Sequence, residues 1–194
     1  MTEVVLYHHA QGLTDGVKAF AEELRQAGHT VHLPDLYDGN TFDNLDDGMA
    51  YGKSVGFGNL LEAGVAYAQD LPENVVYAGF SMGVMPAQQL TQTRAGARGG
   101  LFFHSCIPVS EFSETWPAGV PVQIHGMDED PWFTEEDGDL ASAQALVKAN
   151  PNDAELFLYP GKAHLFADSS LSDYDKEAAN LLTTRTLTFL ANRP

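Results

Sequence analysis

A serine flanked by two glycines, in the segment Gly79–Gly83, is the strongest chemical signal in this sequence. It follows the apolar run Val75–Ala78 and precedes a segment, residues 84–94, that can form a helix. A sharp turn between a strand and a helix strains its central residue, so the residues two before and two after it must be nearly without side chains. Such a turn would hold the Ser81 hydroxyl above a helix amino terminus, where the dipole and free amides stabilise an attacking alkoxide. We therefore predict that Ser81 is a nucleophile.

A serine hydroxyl needs a base within hydrogen-bond reach, and that base needs a carboxylate to orient it. The predicted base is His164, which lies in a loop opened by Pro-Gly after the last apolar run. The favoured carboxylate is Asp130, because Pro131 holds the residue before it extended and stiffens the turn. Asp128 in the same loop is the alternative. The order serine, acid, histidine along the chain is typical of one class of hydrolytic triad.

Two backbone amides must receive the negative charge that develops on an attacked carbonyl oxygen. One predicted donor is the amide of Met82, the residue after the serine, whose side chain is expected only to pack against the site. The other is expected from the loop after the first strand, residues 8–12, where Ala10 is favoured and Gln11 is the alternative.

Polar and aromatic residues near these segments are candidates for the wall of a substrate pocket. Two are histidines at strand ends, one is a glutamine, and three are aromatic residues that would equally suit the core. The predicted pocket residues are His9, Gln11, Tyr37, His104, Trp132 and Phe133. The single cysteine, Cys106, also follows a strand, but it lacks flanking glycines and is expected to be a small buried residue.

The seven histidines raise the question of a metal site. His8 and His9 are adjacent, so on a strand they would point to opposite faces. The sequence contains no His-x-x-x-His pattern and no clustered cysteine and histidine spacing. We therefore expect no metal and no other cofactor, and we interpret His8 as structural.

The composition indicates a globular protein of 194 residues with one domain, residues 1–194. Its net charge of −17 disfavours binding to nucleic acid and to anionic membranes, and is attributed to a solvated acidic surface. No run of about 18 apolar residues predicts a membrane span. The first residues do not resemble a secretory signal, and one cysteine permits no internal disulfide, so we expect a cytoplasmic protein. Monomer and homodimer are both compatible with the sequence.

The residues of the predicted site must be positioned by alternating strands and helices, which predict βαβ units around a parallel sheet. The predicted strands, with the order 2-1-3-4-5-6, are Val4–Tyr7, Thr30–Leu33, Val75–Gly79, Gly100–His104, Val120–His125 and Glu155–Tyr159. Besides the helix after Ser81, in which Pro86 should disturb the first turns, helices are predicted around residues 17–24, 60–68, 140–147 and 172–191. Residues 38–58, rich in glycine, aspartate and asparagine, are expected to form a loop near the mouth of the site.

The chain resembles the dienelactone hydrolase family of α/β-hydrolases. The matching segments, which together span nearly the whole chain, are His8–Gly12, Pro34–Tyr37, Gly79–Gly83, Gly126–Trp132 and Gly161–Phe166. The resemblance implies a minimal α/β-hydrolase fold: a doubly wound, mainly parallel sheet of about six strands without a large lid domain. It also implies metal-free cleavage of a small ester or lactone by Ser81, Asp130 and His164, with oxyanion amides from Met82 and Ala10.

Three features depart from the family pattern. The name-giving enzymes have cysteine at the nucleophile position, where this chain has Ser81. They hold a carboxylate substrate with arginines that have no match near the site segments here, and His9 stands where they place a glutamate. These departures argue against dienelactone itself as the substrate.

The sequence leaves alternative functions open. A thioesterase or acyltransferase would use the same three residues, because the pocket selects the acceptor. A non-catalytic small-molecule-binding protein would use the same fold without needing all three residues, and a metal-dependent hydrolase would use the histidines. The sequence favours a carboxylic ester or lactone hydrolase that forms an acyl-enzyme on Ser81.

Overall fold

A single sheet of six parallel strands forms the centre of the protein in a computed structural model that describes residues 1–135 and 138–193. The strands are β1 (Glu3–Tyr7), β2 (Thr30–His32), β3 (Val75–Phe80), β4 (Gly99–Phe103), β5 (Val122–Met127) and β6 (Ala154–Tyr159). Their order is β2-β1-β3-β4-β5-β6, and every neighbouring pair is parallel. The predicted strand order and fold class are confirmed, and the predicted strand bounds differ from the observed ones by at most two residues.

Helices connect the strands and cover both faces of the sheet. They are α1 (Asp15–Gln26), α2 (Leu45–Val55), α3 (Phe57–Tyr67), α4 (Val84–Thr93), α5 (Asp139–Ala149) and α6 (Lys176–Ala191). Short 3₁₀ helices lie at Ala68–Asp70, Ser81–Gly83 and Val109–Glu111. Pro86 lies in the first turn of α4, where proline is tolerated because a first-turn amide has no helical partner.

The prediction of a loop over residues 38–58 is wrong for residues 45–55, which form α2, and for residues 57–58, which begin α3. Its two buried glycines, Gly48 and Gly52, have low helix propensity and gave the segment a loop-like composition. The helix forms because Asn44 caps its first turn and because the missing side chains allow close packing. A Cβ atom at Gly48 would lie 2.1 Å from the carbonyl oxygen of Ala10.

Alternating side chains of the strands pack into two hydrophobic cores, one on each face of the sheet. In β1, Val4 and Leu6 pack with residues of α1 and α6, whereas Val5 and Tyr7 pack with residues of α4 and α5. A third, smaller cluster joins α2 and α3 to the loop after β1 and to the turn after β3. Since all strands are parallel, the loops that leave their carboxyl ends meet at one edge of the sheet.

No helix in residues 1–135 and 138–193 combines the length and the apolar character that crossing a membrane requires.

Candidate active site

Ser81 occupies a strained turn between β3 and α4. Its φ angle is 47°, in the left-handed region that side chains other than glycine rarely adopt. A Cβ atom at Gly79 would lie 2.2 Å from the carbonyl oxygen of Gly83, and one at Gly83 would lie 2.5 Å from that of Tyr7. The turn therefore requires both glycines, and it presents the serine hydroxyl at the carboxyl edge of the sheet.

Ser81, His164 and Asp130 form a continuous hydrogen-bonded chain. The Oγ atom of Ser81 lies 2.8 Å from Nε2 of His164, and Nδ1 of His164 lies 2.6 Å from Oδ2 of Asp130. An ionised carboxylate only accepts hydrogen bonds, so Nδ1 of His164 carries the hydrogen and Nε2 is free to accept from the serine hydroxyl. Asp130 is fully buried, and its Oδ1 accepts a hydrogen bond of 3.0 Å from the amide of Trp132.

Asp128, the alternative carboxylate, has a different set of contacts. It is exposed, and its Oδ1 accepts a hydrogen bond of 3.0 Å from the amide of Gly161. Its backbone amide donates to the carbonyl oxygen of Tyr159. These contacts join the loops after β5 and β6, so Asp128 helps to hold the loop that carries His164 without contacting the imidazole itself.

The two candidate sources of the second oxyanion amide differ in how their amides are used. The amide of Gln11 donates to Nδ1 of His9 at 3.2 Å, so it is already committed within the loop. Ala10 is fully buried in the same cluster as Met82, and its carbonyl packs against α2. This geometry favours Ala10 over Gln11.

The side chain of His9 pairs with that of Asp168. Its Nε2 lies 2.8 Å from Oδ2 of Asp168, and both side chains are buried. Burial alone would raise the pKa of Asp168, but hydrogen bonds from His9, Ser170 and Thr14 outweigh it and lower that pKa to about 2. Asp168 is therefore a buried carboxylate that stays ionised through its donors.

His104 lies beneath the imidazole of His164, with the ring centroids 5.9 Å apart. It is fully buried, and neither ring nitrogen has a hydrogen-bond partner among the described residues. Burial, with smaller contributions from neighbouring histidines, lowers the pKa of His104 well below its usual range. A neutral imidazole at this position packs against His164 without adding a charge beside it.

A cavity of about 280 Å³ opens beside Ser81 and His164. Its wall is mostly apolar and includes Leu45, Met49, Phe57, Ser81, Met82, Met85, Ser105, Ile107, Trp132, Asp139 and His164. Of the six predicted pocket residues, Trp132 is part of this wall, and its ring centroid lies 5.9 Å from that of His164.

The other five predicted pocket residues are not part of this cavity wall, which corrects their assignment. His9 pairs with Asp168, and the side-chain amide of Gln11 donates to the carbonyl oxygen of Phe42. The hydroxyl of Tyr37 contacts the carbonyl oxygen of Gly48 and the sulfur of Met82. His104 and Phe133 are fully buried. Helix α2 packs on the loop that carries His9 and Gln11, whereas Phe133 packs in the core with residues of α4 and α5.

A model of the dienelactone hydrolase family matches residues 1–193. The chain belongs to the dienelactone hydrolase family. This membership confirms the resemblance inferred from the sequence and supports hydrolase activity.

Several solved structures of hydrolases share this fold. A dienelactone hydrolase-like promiscuous phosphotriesterase from metagenomic libraries is 19% identical with a TM-score of 0.73, over 100% of this chain and 87% of that one. A protein of the α/β hydrolase superfamily from Xanthomonas campestris pv. campestris is 22% identical with a TM-score of 0.62, over 99% of both chains. A cold-adapted esterase from an Arctic intertidal metagenomic library is 17% identical with a TM-score of 0.56, over 99% of this chain and 81% of that one. No curated protein matches this chain significantly.

In this dienelactone hydrolase family member, sequence reasoning missed most of the cavity wall. Leu45 and Met49 come from α2 and Phe57 from the start of α3, within the segment predicted as a loop. The spacing of Leu45 and Met49, four residues apart, is a helical signal that was available in the sequence. Asp139 was missed because it lies among other acidic residues, and only the fold shows that it faces the cavity.

Asp139 is the first residue of α5 and is partly buried. Burial raises its pKa, although hydrogen bonds from the Ser105 side chain and the Cys106 backbone oppose that shift. Asp139 and Ser105 both lie in the wall of the cavity beside Ser81.

Cys106 is fully buried in the core beside α5, as expected for a small apolar residue. Burial raises the pKa of its thiol far above its usual range, which suppresses the reactive thiolate. The described residues contain no group of three or more His, Cys, Asp or Glu side chains arranged to hold a metal ion.

Proposed function

We propose that this protein is a serine hydrolase that cleaves an ester or lactone bond of a small substrate through an acyl-enzyme on Ser81. The observation that carries the proposal is the hydrogen-bonded chain from Ser81 through His164 to Asp130, on a turn that strains the serine backbone. Family membership supports hydrolysis as the reaction class.

In the first half of the reaction, Nε2 of His164 takes the proton of Ser81 while Oγ bonds to the substrate carbonyl carbon. The carbonyl oxygen becomes an oxyanion, which accepts hydrogen bonds from the amides of Met82 and Ala10. Asp130 holds the imidazole in the required tautomer and stabilises its positive charge. His164 then gives the proton to the alcohol oxygen as the ester bond breaks, which leaves the acyl group on Ser81.

In the second half, water takes the place of the alcohol. His164 removes a proton from water as the water oxygen bonds to the acyl carbon, and the same two amides receive the oxyanion. The proton returns to Oγ of Ser81 as the acyl bond breaks, so the acid product leaves and the enzyme is restored. The apolar wall formed by Met49, Met85 and Trp132 suits the hydrocarbon part of an acyl chain.

The test compares wild type, Ser81→Ala and Cys106→Ala in the hydrolysis of p-nitrophenyl acetate and butyrate. We expect Ser81→Ala to lose at least a thousandfold in kcat/KM with its circular dichroism unchanged, and Cys106→Ala to retain most of its activity. A fluorophosphonate probe should label wild type and Cys106→Ala but not Ser81→Ala. Retained turnover in Ser81→Ala would show that Ser81 is not the nucleophile. Wild type that neither turns over nor labels would favour a binding protein.

A further inference from the structure

The cavity next to Ser81 has an asymmetric charge. Of the described residues in its wall, Asp139 is the one carboxylate, and none is lysine or arginine. The remaining wall is apolar and aromatic apart from Ser81, Ser105 and His164. A substrate that enters this cavity therefore meets a negative charge and no fixed positive charge.

The position of this charge is held by the fold. Asp139 is the first residue of α5, where the helix dipole favours a negative charge, and it lies in the cavity wall together with Ser105. Because the group is partly buried, water screens its charge less than that of an exposed carboxylate. Trp132 is also part of this wall, and the faces of aromatic rings attract organic cations.

We propose that Asp139 determines substrate specificity by excluding carboxylate-bearing esters from the cavity and favouring esters that carry an alkylammonium group. The proposal rests on the ester hydrolysis proposed above and names its substrate class. The expected order of preference is cationic over neutral over anionic, and both charge effects act on kcat/KM through the same side chain. Two unit charges within one small, partly desolvated cavity interact strongly enough to change kcat/KM by about tenfold.

The test uses three p-nitrophenyl esters of similar size, whose acyl groups are butyrate, hemisuccinate and 4-(trimethylammonio)butyrate. In wild type at pH 8, we expect the cationic ester to exceed, and the anionic ester to fall below, the neutral ester by about tenfold in kcat/KM. Asp139→Asn, which removes the charge and keeps the size and shape of the side chain, should bring all three values together. Asp139→Glu, which retains the charge, should preserve the order.

A matched control separates this local effect from the net charge of −17, which also repels anions. Glu111→Gln removes one exposed charge from the 3₁₀ helix Val109–Glu111 and should leave all three ratios unchanged. Raising the salt concentration should weaken long-range steering in every variant alike, but the difference between wild type and Asp139→Asn should persist. A difference that disappears in salt would overturn the proposal.

Binding without turnover keeps the inference testable if the esterase proposal fails. Butyltrimethylammonium should change the fluorescence of Trp132 in wild type, with weaker binding in Asp139→Asn, whereas butyrate should bind more tightly to the variant. Equal binding of the cation by both proteins overturns the role of Asp139. Charge-selective binding without hydrolysis of any ester would instead contradict the proposed reaction and leave the role of Asp139 supported.

Discussion

The buried imidazole of His9 and the buried carboxylate of Asp168 lie 2.8 Å apart, and they join two loops of the proposed active site. His9 directly precedes Ala10, the proposed oxyanion donor. Asp168 lies four residues after His164, the proposed base. The Gln11 amide donates to Nδ1 of His9, so Nε2 carries the hydrogen that Asp168 accepts. This pair fixes the spacing between the groups that would bind the oxyanion and move the proton.

Asp168→Asn tests this positioning role. The carboxylate accepts from His9 and Thr14 on one oxygen and from Ser170 on the other, so an amide would place an N–H group against a donor. We expect the free energy of unfolding to fall by about 2 kcal/mol and kcat to fall at least about tenfold, with a smaller change in KM. Urea denaturation and ester kinetics measure the two effects.

Asp173→Asn is the control, because Asp173 is an exposed acid in the same segment. It should leave the free energy of unfolding unchanged and kcat within twofold of wild type. A kcat that stays at the wild-type level in Asp168→Asn, while stability falls, would show that the pair only supports the fold.

Gly48→Ala should damage the proposed oxyanion site through backbone packing. Alanine normally favours a helix over glycine by up to about 1 kcal/mol, but a Cβ atom here would lie 2.1 Å from the carbonyl oxygen of Ala10. The loop after β1 must move, which displaces the Ala10 amide. We expect kcat/KM for a p-nitrophenyl ester to fall about 10- to 100-fold.

Gly58→Ala is its matched control in the neighbouring helix α3. A Cβ atom at Gly58 has no neighbouring atom within 4 Å, so this change should leave kcat/KM intact and should not destabilise the protein. Equal effects of the two substitutions on activity would argue against a role for the contact between α2 and the oxyanion loop.

Much of the fold followed from the sequence because buried parallel strands have continuous apolar character. The runs at residues 75–79 and 100–104 have few alternative positions besides the centre of a sheet, and their order follows from the helical connections between them. The helix α2 was not predicted because the helix propensity of its glycines is low. Gly48 and Gly52 are tolerated there only because Ala10 and Tyr37 approach them closely, and such tertiary contacts are not visible in local composition.

The proximity of Ser81, Asp130 and His164 could be predicted because each follows the carboxyl end of a strand and parallel strands align those ends. The cavity wall could not be predicted in the same way. It depends on α2 and on which residues of the acidic segment before α5 face the cavity. Asp139 faces the cavity, whereas the neighbouring Glu135 is exposed. Both residues are carboxylates in one acidic segment, so the sequence alone does not show which of them faces the cavity.

Acid should destabilise the protein from about pH 6.5 downward because three histidines are buried in the neutral form. Burial lowers the pKa of His8 to about 4 and that of His125 to about 3, and it lowers the pKa of His104 well below its usual range. Below pH 6.5 the unfolded chain therefore binds protons that the folded protein does not, so stability is fully present above pH 6.5 and falls as the pH decreases. Each histidine contributes up to about 1.4 kcal/mol per pH unit.

Denaturation midpoints between pH 8 and pH 5 measure this slope. His125→Gln should reduce the slope by the contribution of one proton, because the glutamine cannot be protonated. An unchanged slope in that variant would show that acid sensitivity arises from other groups.

Asp130→Asn and Asp128→Asn provide the sharpest separation of the two carboxylates that the sequence left open. In Asp130→Asn, the amide of Trp132 favours the oxygen on its own side, so the new N–H group would face His164. Nδ1 of His164 would then accept, Nε2 would carry the hydrogen, and the imidazole could no longer receive the proton of Ser81. We expect kcat to fall about 10⁴-fold, as for comparable changes in other triads, without loss of the fold. Asp128→Asn keeps the oxygen that accepts from Gly161 and should change kcat less than twofold. Steady-state kinetics of both variants on one p-nitrophenyl ester decide the assignment, and a larger loss in Asp128→Asn would reverse it.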